Sequence, residues 1–472
     1  MNLEPYSFGL PLKMGPGMVN YAHLSMETLV NGDPDNPGCY LPVLAESWEL
    51  APDKSSYTFH IRKGVKFFDG TDLDAQAVKW NHDQVLASAK PQLVKVSSID
   101  LIDDYTLRYN LNSWDPLVMS DLVREECMII SPTAYEKLGE EGVQNNPVGT
   151  GPWMVKDYAR SQHVKFMRNP NYWQEGLPYL DEVHILTIKD PMTQEASLLN
   201  GDVQVLHNVD RVTGAAMIAR GFDYQTFVGQ NVMIDFDSTT SESAWSDRRM
   251  REALEYAVDR DGICEALGEG LVTPSECIIH TIRSWGDPGI PVREYNPEKA
   301  KQLLAEAGYP DGIKCHLSYN RDQIDADFVV ALQEDLANVG IIVDLDPMTS
   351  VQQRERQVLP HEGNELRLGA ARYDPPNLLG AVRMDLCADS DHNPDTKRPD
   401  EFERLFALAL TEVDTNKQVE LALQMEKAAY EDAMLIPLWN NPMVAVYYDY
   451  VKGTNWYPTG PFPDLDYAWL DK

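Results

Sequence analysis

The part of the sequence that most restricts the fold is 296–343, where two helical patterns each end at glycine. Asn296-Pro297 is a helix start, because asparagine is a favoured N-cap and proline suits the first helical position. Apolar residues at helical spacing then stop at Gly308, and a second such stripe stops at Gly340. The apolar run 341–343 that follows predicts a buried strand. This alternation of helix, glycine and strand favours an α/β layer structure.

The sequence pattern in the first half of the chain predicts mainly strands. Apolar and polar residues alternate from Ser56 to Arg62, which is the period of a half-buried strand. Gly64 interrupts the pattern, and Val65-Lys66-Phe67-Phe68 resumes it before an Asp-Gly turn, so we predict a hairpin meander. Thr106–Leu111 alternates in the same way.

Longer helices are predicted in the second half. Asp247 can cap a helix that continues to about Leu267, with an apolar stripe along one face. A long helical stretch is also predicted from about Asp400 to Asp432. A chain of 472 residues should form two to four structural units, and without a flexible linker between them these should be docked.

The charge balance limits the partners of the chain. It has 40 basic and 74 acidic residues, a formal net charge of −34 at pH 7. Such a field repels nucleic acid and anionic membrane surfaces, so we expect no nucleic-acid partner. No run of about 18 apolar residues is present that could span a membrane. The first residues lack the basic start and apolar stretch of a secretory signal, so either the protein is cytosolic or a signal has been removed.

The cysteines leave two readings open. None of the six belongs to a C-x-x-C pair, which argues against a structural zinc site. Cys264 and Cys277 are the closest two, separated by glycines and a proline. In an oxidising compartment a local disulfide could join them. Otherwise they are buried thiols.

The sequence lacks the common motifs of catalysis. The sequence has no G-x-S-x-G elbow and no Gly-Lys dipeptide of a phosphate-binding loop. His361-Glu362 lacks the second histidine of a zinc peptidase motif. We therefore expect no catalytic residue, no metal site and no cofactor.

Four segments carry a family resemblance. They are Leu44–Trp48 with Tyr57–Gly70, Pro147–Trp153 with Tyr172-Trp173, Asp247–Leu254 with Ala257–Arg260, and Tyr295–Tyr309. In this order and spacing they resemble the signatures of the peptide/nickel-binding family of bacterial solute-binding proteins. Read from the residues alone, these motifs belong to a scaffold. Trp48 and Phe59 are core candidates, and Gly149 and Gly151 permit backbone angles that other residues avoid.

The resemblance implies a two-lobed periplasmic-binding-protein fold of the α/β class. The first lobe would combine residues 1–40, 151–235 and 441–472, with 41–150 as an extra subdomain. The second lobe would be 236–440. The two crossings, near 234–240 and 437–442, would form a hinge that lets the lobes close on a ligand.

The resemblance also implies a function. Members of the family are secreted and have no catalytic activity. We therefore expect a periplasmic or extracellular, membrane-associated monomer that binds a small solute between its lobes and delivers it to the membrane permease of an ABC importer. Family ligands include di- and oligopeptides, nickel chelates and oligosaccharides. A di- or oligopeptide, or a related amino-bearing compound, is our leading expectation.

Candidate ligand-binding residues come from several segments. Asn20 and Tyr21 could lie at the edge of the cleft, and Arg124 precedes the apolar segment Cys127–Ile130, which we predict to be a short strand. Trp439 is one of several tryptophans that could stack on a ligand.

The last candidates rest on the resemblance. Ala371–Pro375 matches a family turn that faces the cleft and includes Tyr373. In the family's peptide binders an aspartate near this turn pairs with the ligand's amino terminus, which implies that role for Asp374. Arg372 could hold a ligand carboxylate. The alternative for both is an exposed turn without a ligand.

Three other functions stay open. An oligosaccharide would stack on tryptophans such as Trp439. A nickel chelate would need an arginine in the first lobe, for which Arg124 is an imperfect match, and only His392 stands near the turn. An acidic two-domain hydrolase without a recognisable motif is the alternative from another class.

Overall fold

The computed structural model describes most of the chain in two compact units. The described residues are 5–14, 17–33, 36, 38–88, 90, 92–279, 286–357, 359, 363–371, 377–388, 393, 395–456 and 463–472. The first unit is Met1–Phe227 with Val444–Lys472, and the second is Val228–Met443. Within the described residues, no helix has both the length and the apolar character needed to cross a membrane.

The first unit begins with a mixed series of strands and helices. Its strands are β1 Val30–Gly32, β2 Tyr40–Pro42, β3 Ala45–Leu50, β4 Ser56–Ile61, β5 Val96–Asp103, β6 Thr106–Leu111, β7 Trp153–Ala159, β8 His163–Arg168, β9 Glu182–Leu186 and β10 Val205–Val209. Its helices are α1 Val19–Ala22, α2 Ala75–Leu86, α3 Val118–Asp121, α4 Pro132–Val143, α5 Pro191–Leu199 and α6 Arg211–Ala219, with short 3-10 helices at Pro11–Lys13 and Glu125–Cys127.

The remaining elements follow in chain order. The strands are β11 Asp223–Phe236, β12 Thr273–Pro274, β13 Ile313–Asn320, β14 Ile341–Met348, β15 Leu366–Ala371, β16 Ile436–Tyr447, β17 Val451–Lys452, β18 Asn455–Trp456, β19 Pro463–Asp464 and β20 Trp469–Leu470. The helices are α7 Arg248–Ala257, α8 Arg260–Leu267, α9 Pro297–Glu306, α10 Ala326–Asn338, α11 Ser350–Gln357, α12 Leu378–Asp385, α13 Asp400–Ala409 and α14 Thr415–Glu431, with a 3-10 helix at Ala244–Ser246.

Two long strands contain the boundaries between the units. The first boundary, Phe227/Val228, falls inside β11, and the second, Met443/Val444, falls inside β16. The resemblance implies lobe boundaries at 235/236 and 440/441, and these stay a prediction. The pattern of apolar residues runs on through each strand, so it carries no mark of the boundary.

The first unit contains an antiparallel sheet in the order β3-β4-β6-β5. The alternation predicted for β4 and β6 is confirmed, and Phe59 on β4 is fully buried against the edge of the Tyr109 ring on β6. The hairpin meander is wrong in one respect. The segment after Gly64 forms only an isolated bridge between Lys66 and Asp72, and β4 pairs instead with β3 and β6.

The second unit combines helices with a sheet, in agreement with the α/β layer structure that the helix–glycine–strand alternation favours. β13 lies between β14 and β15 and runs parallel to both. β15 in turn pairs antiparallel with β11. The core lies between this sheet and its helices, where Leu317 and Leu366 on the strands and Val329 and Leu332 on α10 are all fully buried.

Two predicted long helices are each broken in two. α7 ends before Val258, whose backbone is extended, and the Asp259 carboxylate then caps α8 by accepting the N–H of Gly262. α13 ends before the loop at 410–414, and Asp414 caps α14 through the N–H of Asn416. In both places an aspartate satisfies backbone donors that a continuous helix would use internally.

The cysteines are thiols, which decides against the Cys264–Cys277 disulfide. Cys264 lies on α8 within the apolar core of the second unit, and burial raises the pKa of its thiol to about 12. Cys277 is also buried. The structure therefore supports the interpretation of Cys264 and Cys277 as buried thiols.

The glycines of the Pro147–Trp153 motif serve close packing. A Cβ on Gly149 would lie 2.0 Å from the carbonyl oxygen of Ser25, and one on Gly151 would lie 2.8 Å from the Ser25 carbonyl carbon. Neither glycine has a positive φ, so the expectation of unusual backbone angles is wrong here. The two segments are further joined by hydrogen bonds from the Gly151 N–H to the Ser25 carbonyl and from the Ser25 hydroxyl to the Trp153 carbonyl.

We predict that Gly149→Ala destabilises the protein by about 3 kcal/mol, since overpacking typically costs about 1–3 kcal/mol and the obstacle here is backbone. Denaturant unfolding measures the change. Gly369→Ala is the matched control, because a Cβ on this β15 residue meets nothing within 4 Å. Equal stability of the two variants would contradict the close-packing role of Gly149.

Candidate functional site

One edge of the sheet in the second unit is formed by the carboxyl ends of parallel strands. β13 and β15 are parallel, so their carboxyl ends point to the same side of the sheet. β13 ends at Asn320 and leads into Gln323–Asp325, whereas β15 ends at Ala371, directly before the predicted turn. In open α/β sheets, ligands bind outside the carboxyl ends of the strands. This edge is therefore the candidate functional site of the second unit.

A recess opens at this edge. Five buried apolar side chains form its walls, and these are Val232, Val272, Ile324, Phe328 and Trp439. Three polar residues complete the lining, the half-buried Gln323 and Asn441 and the exposed Asp325. The enclosed volume is only about 10 Å³, which is room for about one water molecule. The surface that the recess presents is more polar than apolar, although its walls come from buried apolar side chains.

Trp439 is the predicted ligand residue that belongs to this recess. Its side chain is only 2% exposed, and its ring centroid lies 5.0 Å from that of Phe328. Most of the indole is therefore core, with one part of it left to line the recess. Contact between Trp439 and a ligand stays a prediction.

Arg372, Tyr373 and Asp374 lie outside the residues that the structure describes. Their roles stay predictions.

In the first unit, Asn20 and Tyr21 lie on the short helix α1, and both are buried. Tyr21 packs against Phe8 with 5.8 Å between ring centroids, and burial raises the pKa of its hydroxyl well above the usual range. The Asn20 Oδ1 accepts no hydrogen bond from the described part of the chain. An unpaired buried acceptor is costly, which makes Asn20 the better of the two candidates for a polar contact with a ligand.

Arg124 is already engaged with carboxylates. Its Nε lies 3.6 Å from Glu125 and 4.0 Å from Glu126. The segment that follows is a 3-10 helix and an isolated bridge at Ile129, so the predicted strand is wrong. Competition from these two acids weakens any hold of Arg124 on an anionic ligand, and its role as a ligand residue stays a prediction.

Glu27 is a polar centre that sequence reasoning missed. Its carboxylate accepts hydrogen bonds from the Thr150 hydroxyl at 2.7 Å, the Tyr172 hydroxyl at 3.0 Å and the Trp173 indole N–H at 3.0 Å. The Arg62 guanidinium lies over the Trp173 ring, 4.3 Å from its centroid. Burial of the carboxyl group raises the pKa of Glu27, although these donors and Arg62 act in the opposite direction.

Glu426 was missed as well. This fully buried residue of α14 accepts the backbone N–H groups of Ile278 at 2.8 Å and Ile279 at 2.7 Å. The Asn231 side chain on β11 donates to the neighbouring carbonyl of Cys277 at 3.0 Å. Asn231 pairs with Ala371 at the end of β15. These bonds fix a loop beside the candidate edge.

The family follows from sequence comparison. The model of the bacterial extracellular solute-binding proteins, family 5 (middle region), matches residues 40–377, well over half of the chain. The chain belongs to this family. A relative, the glutathione-binding protein GsiB of Salmonella paratyphi A, is 30% identical over 320 residues, which cover 66% of this chain and 62% of GsiB. The match therefore spans less than two thirds of the length of that relative.

Solved structures confirm the predicted fold class. NikA from Brucella suis, in complex with Fe(III)-EDTA, has a TM-score of 0.85 at 23% identity and covers 99% of this chain and 98% of its own. The periplasmic binding protein DppA from Helicobacter pylori, in complex with the peptide STSA, has a TM-score of 0.78 at 21% identity, with 99% and 96% covered. At these identities the likeness establishes the periplasmic-binding-protein fold alone.

The Glu27 centre yields a prediction on pH for this family 5 protein. A carboxyl group whose pKa is raised by folding stabilises the folded state at pH values below its pKa in the unfolded chain, about 4.3. This contribution to the free energy of unfolding is lost as the pH rises through the pKa in the folded state. Glu27→Gln cannot titrate. We therefore expect the free energy of unfolding of the parent to fall relative to that of Glu27→Gln as pH rises above about 4.3.

Denaturant titrations of both proteins across this pH range measure the difference. Glu46→Gln, at an exposed position on β3, is the control and should show little such trend. If the parent instead gains stability over Glu27→Gln with rising pH, the hydrogen bonds to the carboxylate outweigh its burial and the expected sign is wrong.

Proposed function

We propose that the chain is an extracytoplasmic substrate-binding protein that captures a di- or oligopeptide, or a related amino-bearing compound, for an ABC importer. It would act outside the cytoplasm as a monomer and pass its ligand to the membrane permease, with no catalytic step. The observation that carries the proposal is membership in family 5 together with 30% identity to a glutathione-binding protein.

Two kinds of similarity support the peptide class. Glutathione, which the name of the relative GsiB gives as its ligand, is itself a small peptide-like compound. Proteins of the same fold were solved with the peptide STSA and with the dipeptide Met-Leu. NikA, solved with Fe(III)-EDTA, keeps a metal chelate among the outcomes to be tested, as does an oligosaccharide.

A thermal-shift screen tests the proposal. The panel contains di- to tetrapeptides, glutathione, oligosaccharides and nickel with histidine. A ligand at 100 times its dissociation constant adds about 2.7 kcal/mol to the stability of a protein that binds it only when folded. We expect peptides or glutathione to raise the melting temperature. A rise with sugars or the nickel chelate alone would overturn the peptide class, and turnover of any compound would overturn the binding role.

Asp374 provides a sharper test of the ligand's charge. If Asp374 pairs with the ligand ammonium, Asp374→Asn removes the charge and nearly keeps the shape. Loss of one partner of a buried charge pair costs about 2–5 kcal/mol, so affinity should fall by roughly 30-fold or more. Calorimetric titration with the ligand from the screen measures the change.

Asp449→Asn, at an exposed position, is the control for the general effect of removing one negative charge. An N-acetylated form of the ligand should bind the parent as weakly as the free peptide binds Asp374→Asn. Unchanged affinity of Asp374→Asn would remove the ammonium role from this residue.

A further inference from the structure

We infer that Asn31 is a site of spontaneous covalent modification, at which the backbone nitrogen of Gly32 displaces ammonia from the asparagine side chain. After hydrolysis the residue carries a carboxylate in place of the amide. The inference goes beyond the proposed function. It rests on the position of one backbone N–H and on the contrast with a second Asn-Gly pair, Asn200 and Gly201.

The reaction needs only water as a second reactant. The nitrogen of Gly32 forms a bond to Cγ of Asn31, and the bond from Cγ to Nδ2 breaks, so that ammonia leaves and a cyclic imide remains. Water then opens the imide at one of its two carbonyls. One opening gives aspartate, and the other gives isoaspartate, whose main chain runs through the former side chain. The residue has then gained one water and lost one ammonia.

The structure holds this nitrogen beside the group that it attacks. The Gly32 N–H donates to Oδ1 of Asn31 at 2.9 Å, and this oxygen is bonded to the Cγ that the reaction needs. Reacting groups that are held together react much faster than groups that must first meet. Gly32 also has no Cβ that would shield its nitrogen.

The pairing of β1 with β2 leaves the Gly32 N–H outside the ladder. The Val43 N–H donates to the Leu29 carbonyl, and the Asp33 N–H donates to the Cys39 carbonyl. Bonded and non-bonded positions alternate along an antiparallel pair, and Gly32 is an odd number of residues from both Leu29 and Asp33. Its N–H therefore points away from β2.

This outer edge of β1 is accessible to water. In the described part of the chain β1 pairs with β2 alone, and the side chain of Asn31 is exposed. The unpaired edge of a strand presents its N–H groups to solvent. Solvent can therefore remove the proton of Gly32 as its nitrogen attacks.

The second Asn-Gly pair has the same sequence but a different geometry. Asn200 ends α5, and both Asn200 and Gly201 are exposed. The Gly201 N–H, however, donates to the Leu198 carbonyl at 3.0 Å, and the next N–H, of Asp202, donates to the Ser197 carbonyl at 2.9 Å. These bonds must break before the nitrogen of Gly201 can reach the Asn200 side chain, so exposure alone does not make this pair reactive.

Isoaspartate at position 31 would disturb the hairpin. Val30, Asn31 and Gly32 pair in register with residues 42, 41 and 40 of β2. An added main-chain atom at position 31 moves the residue after it out of this register. A two-stranded sheet is marginally stable on its own, so we expect the modified hairpin to open more readily.

The experiment follows both asparagines in the full chain. The folded protein is incubated at mildly alkaline pH, and peptide mapping by mass spectrometry measures aspartate and isoaspartate at positions 31 and 200. We expect Asn31 to convert at least about tenfold faster than Asn200, which corresponds to a barrier lower by about 1.4 kcal/mol. In denaturant, where both pairs lose their hydrogen bonds, the two rates should become similar.

Two variants test the ring closure itself. Asn31→Gln keeps the amide but lengthens the side chain, so a larger ring would have to close, and position 31 should stay unmodified over the same period. Asn200→Gln is the matched control at the other exposed pair and should leave the rate at Asn31 unchanged.

Equal rates at the two positions of the folded chain, or a faster rate at Asn200, would overturn the inference. A difference that persists in denaturant would overturn it as well, because the difference would then come from the neighbouring sequence and not from the fold. Neither result bears on the proposed function, which the thermal-shift screen tests separately.

Discussion

At Gly149 two segments of the backbone lie so close together that a Cβ atom on this residue would be 2.0 Å from the Ser25 carbonyl oxygen. Around this approach the first unit ties its N-terminal segment to the Pro147–Trp153 motif. Thr150, between the two glycines, donates to Glu27, which also accepts from Tyr172 and Trp173. Because α1 lies just before Ser25, the position of Asn20 depends on the same packing.

The sequence allowed much of the fold to be predicted because many of its signals are local. Alternation marked β4 and β6, and the asparagine cap and terminal glycine marked α9. The two broken helices show the limit of such patterns. Asp259 and Asp414 lie inside stretches that were predicted to be continuous helix, and periodicity alone does not distinguish a capping aspartate from a polar residue on the exposed face.

The candidate site was harder to predict because its contacts join distant parts of the chain. Glu27 meets donors more than 120 residues away, and Glu426 meets backbone groups nearly 150 residues away. No short sequence pattern around either glutamate indicates such a partner. Trp439 was named only as an available aromatic residue. Which part of the Trp439 indole packs in the core and which part lines the recess depends on Phe328 and Val232. Both residues come from other elements of the second unit.

The same packing fixes the shape of the recess. Phe328 and Trp439 are almost completely buried, and each is part of the core that supports β11 and β13. Core side chains are packed to a density at which small shifts are costly, so the walls cannot widen for a larger group without a loss of stability. The shape of this edge therefore depends on the dense packing of the core behind it.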